Sequence, residues 1–96
     1  MYYELETGVV GSNIRVSDIL WIRTRHSLYE FFVIDPVKVY GVVKGGVLGA
    51  ATKEAFLCLP LSLAVGLRAE LLIESAKGAR YLTTSPITSV RHFRNE

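Results

Sequence analysis

Apolar positions recur with a period of two over most of this chain, the pattern of strands that turn one face to a core. In "ILWIRTR", Leu20, Ile22 and Thr24 fall on one side and Trp21, Arg23 and Arg25 on the other, which predicts a half-buried strand. "SLYEFFVID" follows, with Tyr29, Phe31 and Val33 on one face and Leu28, Glu30, Phe32 and Ile34 on the other. Apolar groups on both faces predict a strand that is central or lies at an interface. "DPVK" reads as a turn, because Pro36 presets φ for a turn's second position and Asp35 suits its first. "VKVYGVVK" then pairs back, with Val37, Val39 and Val43 inward and Lys38, Tyr40 and Lys44 outward, so Leu28 to Lys44 forms a hairpin.

Gly45 and Gly46 end that hairpin, since paired glycines lower the cost of a sharp change of direction. The next stretch, "VLGAATKEAFLCLPLSLA", lacks clean alternation; a short helix between Ala50 and Ala64, an irregular lid and strands all fit it. From Gly66 alternation returns, with Leu67, Ala69, Leu71 and Ile73 inward and Arg68, Glu70 and Glu74 outward. "SAKGAR" is a turn, and "RYLTTSPITSVRHF" returns as one broken strand or two, with Pro86 at an edge or bend because it cannot donate to a ladder. Five or six short strands with little helix in 96 residues predict a single all-β domain over 1–96. Its expected form is a small partly open or closed β-barrel of SH3-like, Sm-like or OB-like size, since closure removes aggregation-prone edges. Such a fold licenses no function by itself.

Composition adds one thing to this picture. Half the residues are hydrophobic and the mean hydropathy is +0.31, whereas a chain of this size buries only roughly 60–70% of its unfolded surface. The surplus predicts an apolar patch outside the core, and hence a homo-oligomer or a protein partner, with Phe32, Ile34, Leu57 and Leu61 as the self-association residues. Eleven Lys and Arg against nine Asp and Glu give a net charge of +2, short of a strong duplex-DNA binder. The longest charge-free stretch, Ala55 to Leu67, contains Pro60 and falls short of the roughly 18 residues that span a bilayer. "MYYELETG" lacks the basic start of a signal peptide. A cytoplasmic protein with no membrane partner is the expectation.

The chain carries no nucleophile elbow, phosphate loop, zinc-protease motif or paired cysteines at metal spacing, so no catalytic residue and no cofactor is nominated and a non-enzyme is expected. Cys58, between Leu57 and Leu59, reads as a buried small hydrophobe. His26 and His92 read as solvated or turn-capping side chains, and nothing converges with them into a metal site. Asp18 and Asp35 read as cap or turn residues. Glu30 stands apart on a face otherwise made of Leu28, Phe32 and Ile34: it is exposed at an interface, paired with Lys38 or Arg25, or functional. The hydroxyls of Thr83, Thr84, Ser85, Thr88 and Ser89 read as partners for backbone around the Pro86 bend.

One alternative comes from the aromatic and basic residues. Trp21, Arg23 and Arg25 share a strand face, Lys38 lies on a strand that could adjoin it, and Arg91 and Arg94 follow near the end of the chain. An exposed aromatic flanked by cations is how OB-type surfaces stack single-stranded bases and track phosphate. Against it stand Glu30 and the low net charge. A third reading, a small-molecule-binding barrel, follows if Ala50 to Ala64 is a lid.

"TRHSLYEFFVIDP", the glycines at 45 and 46, "VGLRAEL" and "TTSPITSV" together resemble an uncharacterised family of short bacterial β-rich proteins, in which a T-R-x-S-x-Y strand leads to a G-G turn and a closing T-S-P-[VI] strand. The likeness covers Thr24 to Val90. It implies a bacterial cytoplasmic barrel in which Thr24, Ser27, Thr84, Ser85 and Pro86 have structural roles, and it implies no activity.

Overall fold

The period-two segments become strands that close on one another. The structure is a computed structural model describing residues 1–6, 13–58 and 63–96, with the backbone of 9–10. Its strands are β1 (Tyr2–Leu5), β2 (Val9–Val10), β3 (Ile19–Thr24), β4 (Leu28–Asp35), β5 (Tyr40–Gly45), β6 (Lys53–Leu57), β7 (Leu63–Ala64), β8 (Arg68–Ile73) and β9 (Arg80–Asn95). The sheet runs β1-β9-β3-β4-β5-β6-β8, and β8 also pairs with β9, so six strands form a hydrogen-bonded ring, a small all-β barrel-like fold. Every pairing in it is antiparallel. β2 and β7 form a separate two-stranded ladder.

β9 is what closes the ring. Its first half, Arg80 to Pro86, pairs with β8, and its second, Ile87 to Phe93, with β3. The expected break at Pro86 is therefore a change of partner within one continuous strand. Pro86 has no N–H to donate, and its carbonyl accepts the Arg25 amide at 2.9 Å. Thr84 Oγ1 accepts the Ala69 amide at 3.0 Å and donates to the Ser85 carbonyl at 2.8 Å, the backbone role read for these hydroxyls. Beside this bend Thr24, paired with Ile87, accepts the Ser27 amide on its Oγ1 at 3.2 Å and pins the β3–β4 turn.

Alternation places the core as expected: Leu20 and Ile22 from β3, Tyr29, Phe31 and Val33 from β4, Val43 from β5, and Ala69, Leu71 and Ile73 from β8 all point inward and are buried. Gly45 and Gly46 have φ of 105° and 51°. A side chain on Gly46 would enter the Tyr29 ring, and one on Gly45 the Leu28 carbonyl, so the turn requires both glycines.

Several expectations are corrected. No helix forms over the described part of Ala50 to Ala64: residues 53–57 are β6, 63–64 are β7, and the helical element among the described residues is one 3-10 turn at Gly46–Leu48. Val37 is 91% exposed, because Asp35 Oδ1 accepts the amides of Val37 and Lys38 and holds these residues in a turn. Leu67 lies one residue before β8 and is exposed. Leu57 is a core residue, 5% exposed, because it pairs with inward-facing Leu71, so it cannot serve on a self-association surface. Leu61 lies outside the described residues. No helix among the described residues is long and apolar enough to cross a membrane.

Candidate functional site

The outer wall carries the features that the core does not account for. Strand register aligns the outward residues Phe93, Ile19, Phe32 and Val42 in one row across β9, β3, β4 and β5. All four are half-buried and apolar, and Ile34, two positions beyond Phe32, is 46% exposed. The next row holds Arg91, Trp21, Glu30 and Lys44, and the one after it Ser89, Arg23 and Leu28. Phe32 and Ile34 thus stand where the sequence placed them, on an outward apolar face.

Trp21 is packed on that wall and half-buried. Its ring lies 4.8 Å from the Phe93 ring, centroid to centroid, and the Arg91 guanidinium sits 5.2 Å above it. Its indole N–H donates to Glu30 Oε1 at 3.0 Å. Glu30 Oε2 lies 3.6 Å from Lys44 Nζ, so the carboxylate is paired with Lys44 rather than with Lys38 or Arg25. Arg91 donates to both Glu4 oxygens, at 2.9 and 2.7 Å. The Arg91 hydrogen bond holds the Glu4 carboxyl below its usual pKa, and the same bond raises that of Arg91. Beside Trp21 an open depression of about 480 Å³ is lined by Trp21, Leu28, Glu30, Lys44 and the backbone of Gly45, Gly46 and Gly49.

Of the residues nominated for nucleic acid, Trp21, Arg23 and Arg91 come together around a smaller hollow with Leu28 and Ser89. Arg25 lies in the exposed β3–β4 turn. Lys38 is in the β4–β5 turn, at the opposite end of β4, so it does not join them. Arg91 is engaged by Glu4, and Arg94 turns to Asp18. Both cations near the end of the chain therefore already have carboxylate partners.

The sequence reading missed a buried polar cluster at the other end of the ring. Asp18 and His92 are both fully buried, with His92 Nε2 2.6 Å from Asp18 Oδ2. Arg94 Nε and Nη2 donate to the same carboxylate at 3.1 and 3.0 Å, and the Arg15 amide donates to it at 2.9 Å. Arg94 Nη2 also donates to the Asn13 carbonyl at 2.6 Å. Burial pushes the Asp18 carboxyl up, but hydrogen bonds from Arg94, His92 and Arg15 outweigh it and hold the group below its usual pKa. Among the described residues, His92 Nδ1 has no hydrogen-bond partner. The tautomer with hydrogen on Nε2 suits this pair, since it gives Asp18 a donor and leaves no N–H without an acceptor. His92 is thus corrected from a solvated or turn-capping residue to a buried one; Asp18 does close a turn with Arg15, as expected, and beyond that it ties residues 13–18 to β9. His26 is exposed, in the turn expected of it.

Cys58 is a half-buried free thiol whose Sγ lies 3.8 Å from the Phe56 carbonyl, and burial pushes its pKa up. No protein-family model, curated protein or solved structure matches this chain. The likeness read from its "TRHSLY" and "TSPI" segments therefore rests on those short motifs alone.

Proposed function

We propose that this protein is a non-enzymatic interaction module that self-associates through its outer wall. The observation behind this reading is the row Phe93, Ile19, Phe32 and Val42, with Ile34 beside it, on the side of the sheet where alternation ordinarily puts polar groups. The charged row next to it contains Glu30 and Lys44 side by side. Two copies related by a two-fold axis set Lys44 of one against Glu30 of the other, a self-complementary arrangement. A net charge of +2 adds little repulsion between copies.

Sedimentation velocity across a concentration series tests this. The wild type is expected to sediment as a dimer or larger, and Phe32→Glu with Ile34→Glu as a monomer of unchanged circular dichroism. Two apolar side chains at about 1.5–3 kcal/mol each correspond to a weakening of at least about 100-fold. A wild type that stays monomeric at every concentration overturns the proposal. The competing reading, single-stranded nucleic-acid binding through Trp21, Arg23 and Arg25, takes its place if a short oligonucleotide quenches Trp21 at about 50 mM salt and loses that effect at about 200 mM.

A further inference from the structure

We infer that the end of the ring beside Gly46–Leu48 is a binding site for a small amphiphilic anion, a phosphate or carboxylate head on an apolar body. This site does not depend on the outer wall. Two adjoining concavities of about 330 and 310 Å³ open there and share Leu48, Ile73 and Arg80. Each falls in the range of small-ligand pockets, roughly 300–1,000 Å³.

Register decides which charges face this opening. Lys53 pairs with Val43 and Arg80 with Ile73. Val43 and Ile73 point into the ring, so both cations stand on the inner side of their strands, just beyond the core. Lys77, in the turn between β8 and β9, completes the rim. The neighbouring acids go the other way. Glu54 pairs with outward Val42 and accepts a hydrogen bond from the Tyr40 hydroxyl on the outer wall. Glu74 follows inward Ile73 and has the opposite parity; its charge, with that of Glu54, acts on Tyr40. Among the described residues, Lys53, Lys77 and Arg80 have no carboxylate partner, and no residue lining either concavity is acidic.

The floor has the opposite chemistry. Ile73 is 3% exposed, Leu48 and Leu82 pack against the core, and Val47 overhangs with 76% exposure. Like charges gathered around a low-dielectric hollow focus a positive field into it. A fully hydrated inorganic anion would satisfy those charges and leave the apolar floor in water, and a neutral apolar ligand would do the reverse. A ligand with both parts answers both features.

Isothermal titration calorimetry of the full chain tests this with three probes: inorganic phosphate, adenosine monophosphate, and dodecanoate below its micelle concentration. Adenosine monophosphate or dodecanoate is expected to bind at least about tenfold more tightly than phosphate, and the preferred one identifies the apolar body as a nucleoside or an acyl chain. Lys77→Ala with Arg80→Ala is expected to weaken it at least about tenfold, the scale of lost charge-assisted hydrogen bonds. Lys77→Glu alone, in an exposed turn, gives the same direction should the double variant fold poorly. Lys38→Ala, at the far end of the ring, is expected to bind as wild type. No binding by either amphiphile, equal affinity for all three probes, or affinity unchanged in the Lys77 and Arg80 variants overturns the inference.

Discussion

Asp18→Ala removes at one stroke the acceptor for His92 Nε2, for two Arg94 nitrogens and for the Arg15 amide. His92 would remain fully buried without a partner, and Arg94, whose side chain is 15% exposed, would keep only part of its hydration. Breaking a buried charge pair by deleting one member costs about 3–5 kcal/mol. The partial exposure of Arg94 puts the expected loss near the lower figure, about 3 kcal/mol. Domains of this size have total stabilities of about 5–14 kcal/mol, so the loss is a fifth or more of the whole. At about 4–8 °C per kcal/mol, Tm is expected to fall by at least about 12 °C. Urea denaturation gives the number directly: the midpoint should drop with the slope m unchanged. A double-mutant cycle with His92→Ala should return a coupling of about 0.5–3 kcal/mol. The pH dependence has a fixed sign. Because folding lowers the Asp18 pKa, its contribution is present above the unfolded value of about 3.9 and is lost as pH falls through the folded value. The gap between wild type and variant should therefore narrow below about pH 4. Glu4 shifts in the same direction in both proteins and cancels from the difference. A loss under about 1 kcal/mol, or a gap that widens in acid, would refute this account of the cluster.

Two further predictions concern single positions. Gly41→Ala places a Cβ on the Phe32 carbonyl oxygen, main chain that cannot swing aside, whereas Gly49→Ala, at φ 76°, meets nothing within 4 Å. In thermal melts Gly41→Ala should cost about 2–3 kcal/mol, the upper range for overpacking, and Gly49→Ala about 1–3 kcal/mol, because its φ of 76° with ψ of −161° is backbone that glycine alone adopts readily; an unchanged Tm for either variant would contradict the geometry. Thr84→Val keeps the shape but leaves the Ala69 amide without its acceptor, an expected loss of about 1–3 kcal/mol that Thr84→Ser should largely restore, with hydrogen exchange at Ala69 accelerating only in the valine variant.

How much of this was legible in the sequence depended on whether a segment has one buried face. β3, β4, β5 and β8 do, and alternation found their inward residues. β6 does not announce itself: in "KEAFL", Ala55 and Leu57 are buried while outward Phe56 is also half-buried, so the apolar run has no period. Alternation also fails across turns. Lys38 was assigned to a strand face, but Val39 takes a left-handed φ of 54° and β5 begins only at Tyr40. Asp18 was within reach. It shares the parity of Leu20, Ile22 and Thr24, all of them buried, so extending the "ILWIRTR" pattern one step back puts its carboxylate on the inner side. The prior that carboxylates stay in water hid this, and the partner that overrides the prior lies 74 residues away.

That long-range pairing also explains why the basic residues of β9 misled the reading of charge. Arg91 and Arg94 lie in one strand within a run of cations, which in sequence resembles a phosphate track. In the fold their partners arrive from the start of the chain: Glu4 through β1, which pairs with β9, and Asp18 through the loop that precedes β3. Each bond joins residues more than 70 positions apart, 87 for Glu4 and 76 for Asp18, so no local window of sequence could reveal it. The cations that matter for an outside ligand are those that folding leaves without acids, and parity decides which they are. Lys53 and Glu54 are adjacent in sequence, yet β6 sends one toward the open end of the ring and the other to the Tyr40 side of the wall. A nearly neutral composition is thereby sorted into an outer wall on which Glu30 and Lys44 stand side by side and a mouth lined by cations, a separation that the net charge of +2 does not display.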